Sequence, residues 1–325
     1  MKNKHHIVVE TERLKYEFDI KRNITVIQGD SATGKTTLVE LLGTYSRFGK
    51  ESGIMLQSDV PCVVFGGTPD LWKTILYAYK DSIVFIDEDY SFIYSKDFAE
   101  VIQGTSNYYV LITRQPLYNL PYSVNEIYGI RTTGKYHYPE KVYHEFYRIY
   151  NDSRSVLDKD VLVMVEDSKS GYQFFSKVCQ KTECVSVEGN SRFVEELENV
   201  SNDNQVVVIA DGAAFGAYVS KVTTIAKSRK DIMLYFPESF EWLILKSGII
   251  DIKDLEVILA EPEKYIESQD FFSWERYFTD LLIKATADDI VKKYEKSRLK
   301  PYYQEGKNRD AIISILPEEI KNILI

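Results

Sequence analysis

Cysteine and histidine are scarce in this 325-residue chain, which has three of the first and four of the second. Cys62, Cys179 and Cys184 are odd in number and lack the CxxC or Cys/His spacing of a metal site. A secreted, disulfide-built domain and a zinc centre are therefore both excluded as interpretations. This cysteine usage indicates a reducing, cytoplasmic environment.

Long apolar runs are also missing. No stretch approaches the roughly 20 apolar residues that span a bilayer, and the sequence MKNKHHIVVETE at the N-terminus has no signal-peptide core. We therefore expect a cytoplasmic protein without a membrane partner. The formal net charge of −9 argues against a protein that coats nucleic acid, although a local basic groove stays possible.

The residues that are present alternate between strand and helix patterns, which predicts an α/β fold with parallel sheets. Before residue 150 the predicted strands are 14–20, 24–28, 61–65, 83–87 and 108–113, and the predicted helices are 35–45, 70–79 and 96–103. After it the predicted strands are 161–166, 184–187, 205–210 and 232–236, with helices between them and a helical pattern from about 238 onward.

A polar stretch at 151–160 separates two halves of different charge. The first 150 residues carry 17 basic and 18 acidic side chains, and the rest carry 23 and 31. A composition shift at a polar segment is typical of a domain boundary. We predict a first α/β domain at 1–155, a second α/β domain at 156–245 and a helical C-terminal region at 246–325.

The strongest motif in the chain is GDSATGKT, a full match to GxxxxGK[ST] that follows an apolar strand and opens a helix. The glycines let backbone N–H groups converge on phosphate oxygens, and the helix N-terminus adds partial positive charge. Lys35 is predicted to reach the β- and γ-phosphates, and Thr36 to ligate Mg²⁺. The predicted nucleotide-binding residues are Gly29, Asp30, Ser31, Ala32, Thr33, Gly34, Lys35, Thr36 and Thr37.

A second apolar strand ends in two acids about fifty residues after this loop. The position of Asp87 suits a carboxylate that binds Mg²⁺ through water, and Glu88 suits a base that polarises the attacking water. The strand 108–113 would lie beside these two, so Thr113 or Arg114 could sense the γ-phosphate. The alternative for Arg114 is an exposed arginine at a strand end.

Together these motifs resemble the additional-strand class of P-loop ATPases, which includes the AAA+, RecA-like and ABC types. The resemblance implies Mg²⁺-dependent ATP binding and hydrolysis, with Glu88, Lys35 and Arg114 as catalytic residues. It also implies that a neighbouring subunit supplies a cation, hence a homo-oligomer or a partner effector subunit. No LSGGQ-like signature, arginine-rich lid or NKxD tetrapeptide is present, so an ABC dimer, a small-molecule kinase and a GTPase are not supported.

In the second half, Glu166 follows the first predicted strand and Asp211 follows the third. A hard cation prefers carboxylates, and parallel strands bring their carboxyl ends together. This layout resembles the Toprim fold, in which a Glu and an Asp-x-Asp hold Mg²⁺ for phosphoryl transfer. The resemblance makes Glu166 and Asp211 metal ligands, but Ala213 stands where the second aspartate belongs, and Asp167 would have to supply a further acid.

An ATPase joined to a Toprim-like domain is similar to the OLD-family nucleases and related phage-defence ATPases. That resemblance implies a nucleotide state that controls a nucleic-acid-linked activity. Three interpretations of the second domain stay open: an active metal site, a degenerate Toprim-like domain that only binds a partner, and an unrelated doubly wound domain. Near the C-terminus, Lys292, Lys293, Lys296 and Lys300 fall at helical spacing, which predicts either a nucleic-acid contact or a solvated helix face.

Overall fold

The computed structural model describes residues 2–29, 34–133, 141–152, 161–179, 182–201, 204–229 and 231–325. The chain divides into two compact units. The first comprises Met1–Ile149 and Glu261–Phe272, and the second comprises Tyr150–Ala260 and Ser273–Ile325. Within the described ranges, no helix has the length and apolar character that a bilayer crossing needs.

The first unit is built around one sheet with helices packed on it. In chain order its elements are β1 (His5–Glu10), β2 (Leu14–Ile20), β3 (Ile24–Ile27), α1 (Lys35–Phe48), β4 (Met55–Gln57), β5 (Cys62–Val64), α2 (Trp72–Ala78), β6 (Ile83–Ile86), α3 (Lys96–Gln103), β7 (Tyr108–Ile112), β8 (Ile127–Thr132) and β9 (Val142–Arg148).

The nine strands of this sheet lie in the order β4-β1-β2-β9-β8-β3-β7-β6-β5. Strands β8, β3, β7, β6 and β5 pair in parallel, whereas β1 pairs antiparallel with β2 and β4, and β8 pairs antiparallel with β9. The prediction of an α/β fold is confirmed. The expected parallel pairing is found in the strands around β3, β7 and β6, and the sequence did not predict the antiparallel pairs that β1, β2, β4, β8 and β9 add to the same sheet.

Burial explains why the sequence indicated some strands more clearly than others. Every residue of β3, β6 and β7 is buried, as expected for interior parallel strands covered on both faces. In β2 only alternate residues are buried, so its pattern has a period of two. Helix α1 packs Leu38 and Leu42 onto the core, which also contains Ile27, Phe85 and Val110.

The second unit contains a four-stranded parallel sheet and a helical region. In chain order its elements are β10 (Val161–Val165), α4 (Ser170–Val178), β11 (Glu183–Ser186), α5 (Asn190–Asn199), β12 (Gln205–Ile209), α6 (Gly216–Ser228), β13 (Ile232–Tyr235), α7 (Phe240–Lys246), α8 (Leu255–Ala260), α9 (Trp274–Thr286), α10 (Pro301–Gln304), α11 (Gly306–Ser314) and α12 (Glu318–Leu324).

The strand order of this second sheet is β11-β10-β12-β13. Successive connections therefore leave β10 in opposite directions, which makes the carboxyl ends of β10 and β12 a topological switch point where crevices form in such sheets. The helical prediction across residues 292–300 is wrong. That segment consists of turns and irregular chain, and Pro301 begins the next helix, α10.

Candidate functional site

The residues of the first candidate site lie at one edge of the first unit's sheet. Strand β3 pairs with β7 through Ile27 and Ile112, and β6 pairs with β7 through Ile86 and Leu111. The chain leaves all three strands at the same edge. The start of the predicted phosphate loop (residues 29–36), the acid pair (Asp87 and Glu88) and Thr113 therefore lie on neighbouring strand ends. The prediction that strand 108–113 lies beside the other two is confirmed.

The described ends of the phosphate loop have the backbone that the motif requires. Gly29 and Gly34 have φ of 129° and 96°, values that side chains rarely tolerate. A Cβ at Gly34 would lie 2.8 Å from the hydroxyl of Tyr16, so the position is closed to larger residues. Asp30, Ser31, Ala32 and Thr33, predicted to bind phosphate, lie outside the described residues.

Lys35 is the first residue of helix α1, and it is buried, with an exposed fraction of 7%. Its Nζ donates to the carbonyl oxygen of Gly29 at 2.6 Å. The ammonium group is therefore held against the first glycine of the loop, at a positively polarised helix N-terminus. Thr36 is exposed at the start of the same helix and Thr37 is partly buried beside it.

Two aromatic side chains that the sequence did not single out support the end of the loop. Tyr16 from β2 donates to the carbonyl oxygen of Gly34 at 3.1 Å, and its ring stacks on His144 from β9 at 4.4 Å between centroids. Burial raises the pKa of Tyr16 to about 12, so the hydroxyl stays a neutral donor. No local signal reveals this pair, because β2 and β9 meet only through the sheet.

The two acids after β6, Asp87 and Glu88, have different hydrogen-bond and ion-pair partners. Asp87 Oδ1 accepts the backbone N–H of Glu88 at 2.7 Å, which restrains the carboxylate beside the chain that follows β6. Glu88 Oε1 lies 3.2 Å from an Nη of Arg114, and both side chains are partly exposed to solvent. An exposed pair of this kind contributes little to stability, so Arg114 can exchange partners at low cost.

Thr113 and Arg114 differ in their surroundings. The Thr113 side chain is fully buried, and its Oγ1 contacts the Tyr94 hydroxyl at 2.8 Å and the backbone of Gln115. The arginine side chain is 58% exposed. Of these two residues, Arg114 is therefore the one whose side chain is open to solvent.

The first site suits Mg²⁺ by the chemistry of its donors. The Thr36 hydroxyl and the Asp87 carboxylate are oxygen ligands of the type that hard cations prefer. Among the described residues, no group of three or more acids, histidines or cysteines could hold a metal ion without other ligands. A magnesium ion that keeps its waters and binds one carboxylate, a hydroxyl and substrate phosphates needs no such group.

The second candidate site is a carboxylate cluster in the second unit, formed by Glu166, Asp211, Glu241 and Glu275. Asp211 Oδ1 accepts the backbone N–H of Phe240 at 3.1 Å. The chain after β12 and the chain after β13 lie close together here, because a Cβ at Gly212 would lie 2.7 Å from the carbonyl oxygen of Phe236. The Asp-Gly pair after β12 thus fixes the aspartate at the strand end.

Charge crowding governs protonation in the carboxylate cluster. Burial, with Asp167 and Glu275 adding repulsion, raises the pKa of Glu166 from its usual 4.5 to about 7. Burial and the carboxylates of Glu275 and Glu241 raise the pKa of Asp211 well above its usual range. At neutral pH the cluster therefore retains protons that free carboxyl groups would lose.

Asp167, which the sequence suggested as a further metal ligand, is hydrogen bonded to the backbone of the following helix. Its carboxylate accepts the backbone N–H groups of Gly171 and Tyr172 at 3.2 and 2.7 Å, so it caps the start of α4. The other acids of the cluster, Glu241 on α7 and Glu275 on α9, come from helices that the sequence gave no reason to bring together.

A lysine occupies the carboxylate cluster. Lys296 Nζ lies 2.5 Å from Glu275 Oε1 and 3.5 Å from Glu241 Oε1. Burial acts to lower the pKa of Lys296, but Glu241, Glu275 and Asp211 outweigh it and raise that pKa. This lysine was expected on a solvated or nucleic-acid-binding face, and the structure places it inside an ion-pair network.

We expect the raised pKa of Glu166 to make folding stability depend on pH. A carboxyl whose pKa is higher in the folded state stabilises the fold below about pH 4.5, and that contribution is lost as pH rises through about 7. Glu166→Gln should flatten this fall, which is at most about 3 kcal/mol. Denaturant unfolding at pH 5, 6 and 7 measures it, and an equal slope in both proteins would contradict the assignment.

Comparison with known proteins adds no name to this geometry. No protein-family model matches the chain, and no curated protein matches it.

Proposed function

We propose that the first unit binds ATP and hydrolyses it with Mg²⁺. The observation that carries this proposal is the convergence at one sheet edge of Lys35 with its flanking glycines, the acids after β6, and Arg114 after β7. The strand order supports it as well, because β7 lies between the loop strand β3 and the acid strand β6. An inserted strand of this kind gives the additional-strand class its name.

Each side chain then has a role that follows from its position. Lys35 neutralises the β- and γ-phosphates at the start of α1, and Thr36 and Thr37 add hydroxyl ligands on the first helical turn. Bound Mg²⁺ would neutralise charge on the transferred phosphoryl group. Asp87 orients the metal's water shell. Glu88 accepts the proton of the attacking water, and Arg114 leaves Glu88 to stabilise charge on the γ-phosphate.

The proposal is tested by phosphate release from purified protein with ATP and Mg²⁺. Omission of Mg²⁺, or replacement of ATP by GTP, should reduce the rate strongly, since the chain has no guanine-reading tetrapeptide. Equal rates with both nucleotides would contradict the adenine preference. No phosphate release together with no measurable nucleotide affinity would overturn the function itself.

We expect the active form to be an assembly, either a homo-oligomer or a complex with a partner effector subunit. Among the described residues, Arg114 is exposed and pairs with Glu88. Negative charge that develops on the γ-phosphate at this edge can therefore be stabilised by a second cation from a neighbouring chain. Sedimentation with and without a non-hydrolysable ATP analogue should show a larger species with nucleotide. A strict monomer whose turnover per subunit does not change with protein concentration would contradict this expectation.

A second candidate function concerns the second unit. The resemblance to OLD-family nucleases implies nucleic-acid cleavage under nucleotide control in phage defence. The alternative is an ATP-dependent switch or scaffold whose second unit only binds a partner protein. Ala213 in place of a second aspartate, and Lys296 among the carboxylates, favour the switch.

Cleavage of single- and double-stranded DNA and RNA with Mg²⁺ or Mn²⁺ separates the two candidates. The nuclease function requires cleavage that Glu166→Ala abolishes. The switch requires no cleavage by either protein while ATP hydrolysis continues.

A further inference from the structure

The carboxylate cluster of the second unit does not match a divalent-cation site. Its four acids come from different segments: Glu166 follows β10, Asp211 follows β12, and Glu241 and Glu275 belong to α7 and α9. Within the part of the chain that the structure describes, no set of three acids could hold a metal ion. The cavity between Glu166 and Asp211 measures about 10 Å³, room for one water molecule. A hydrated Mg²⁺ ion is larger than that space.

Fully ionised, the cluster would carry four negative charges in a poorly solvated environment. The free-energy cost of such burial must be offset by protons, by a metal ion or by a cation of the protein. Lys296 supplies that cation, with Nζ within 4 Å of Glu241 and Glu275. Glu241 has an exposed fraction of 0%, and its Oε1 also accepts the Tyr294 hydroxyl at 2.6 Å. The ammonium group therefore supplies positive charge to these two carboxylates, and it also acts to lower the pKa of Glu166 and of Asp211.

Lys296 is held there by a segment that we call the strap, residues 294–299. The Tyr294 hydroxyl contacts Ser170 Oγ at 2.7 Å, and the carbonyl oxygen of Lys296 accepts the backbone N–H of Ser170 at 3.0 Å. The side-chain amide of Gln173 donates to the carbonyl oxygen of Ser297 and accepts the backbone N–H of Leu299. The strap is thus fixed along the start of α4, directly after β10 and Glu166.

We propose that Lys296 is the resident cation of the carboxylate cluster, and that the strap closes this cluster to divalent metal ions. The inference deepens the switch function, since a second unit without a metal has no means of metal-dependent phosphoryl transfer. It does not depend on nucleotide binding by the first unit. A protein that fails to bind ATP would leave it intact.

Mn²⁺ titration followed by electron paramagnetic resonance tests the proposal on the full chain without nucleotide. An Asp87→Asn background removes the carboxylate of the first site. In that background we expect no Mn²⁺ binding that depends on Glu166 or Asp211. Lys296→Gln removes the competing ammonium group and should raise the Mn²⁺ affinity at least about tenfold above that of the Asp87→Asn protein. Adding Asp211→Asn should remove the gain. Lys293→Gln, at an exposed lysine just before the strap, is the matched control and should change nothing.

Two results would overturn the proposal. The first is Mn²⁺ binding by the Asp87→Asn protein that disappears when Glu166→Gln is added. This measurement uses no Lys296 variant, so it decides the question even if Lys296→Gln does not fold. The second is a folded Lys296→Gln protein that gains no Mn²⁺ site. Absence of Mn²⁺ in the background protein together with an Asp211-dependent gain supports it.

Discussion

Lys35→Ala should weaken ATP binding by about 100-fold or more, which corresponds to about 3 kcal/mol. The ammonium group is the one basic group of the described loop ends, and burial beside Gly29 limits how far water can screen it. Removing it leaves the phosphate charges with only backbone N–H groups and the helix N-terminus as donors. Isothermal calorimetry with ATP and Mg²⁺ at one ionic strength measures the change.

Lys96→Ala is the matched control for this experiment. Lys96 also opens a helix of the first unit, but a serine cap precedes it instead of a glycine-rich loop, and its side chain is exposed. ATP affinity should be unchanged in that variant. Thermal unfolding should show both variants folded, because a hydrogen bond such as that from Lys35 to Gly29 contributes only about 1 kcal/mol to stability. Equal ATP affinity in the wild type and Lys35→Ala would remove the basis of the proposed function.

The parts of the fold that the sequence predicted well are those in which local pattern and burial agree. Strands β3, β6 and β7 are short apolar runs because both faces of each strand are covered, and parallel pairing then places their ends together. The phosphate-loop motif and the acid pair needed only this topology to become neighbours. The sequence therefore predicted their positions relative to the strands.

The sequence did not predict the strands β1, β4, β8 and β9 at the other side of the first sheet. β1 contains two adjacent histidines, and His5 is buried with its Nδ1 about 2.9 Å from Asp59, a contact across 54 residues. Such a pair gives no local periodic signal. β8 and β9 end in exposed polar residues and lack the fully buried apolar run of β3, β6 and β7, and the sequence did not predict them. The Tyr16–His144 stack follows from the parallel pairing of β2 with β9, which the sequence did not predict either.

The carboxylate cluster shows why residue type alone misassigned a lysine. Lys296 belongs to a run of basic residues, and an isolated basic run is usually a solvated face. Its ion-pair partners are Glu241, 55 residues earlier, and Glu275, 21 residues earlier. These residues come together through the packing of α7 and α9, which the sequence does not predict.

Glu88→Gln should leave ATP binding within about threefold of the wild type and lower the hydrolysis rate by about 100-fold or more, the usual effect of losing a general base. Glutamine keeps the length of the side chain and can still hydrogen bond to Arg114, whose Nη lies 3.2 Å from Glu88 Oε1. It cannot accept the proton of the attacking water. Phosphate release at saturating ATP measures the rate.

Two substitutions at neighbouring acids distinguish loss of the base from loss of negative charge. Asp89→Asn removes an exposed carboxylate one residue away and should leave both affinity and rate unchanged. Asp87→Asn should weaken the Mg²⁺-dependent part of ATP binding, because it removes the carboxylate at the end of β6, an oxygen ligand of the kind that Mg²⁺ prefers. If Glu88→Gln hydrolyses ATP at the wild-type rate while Asp87→Asn is inactive, water activation belongs to another group. Arg114 would then act on the phosphate alone, and a base from a neighbouring subunit would be required.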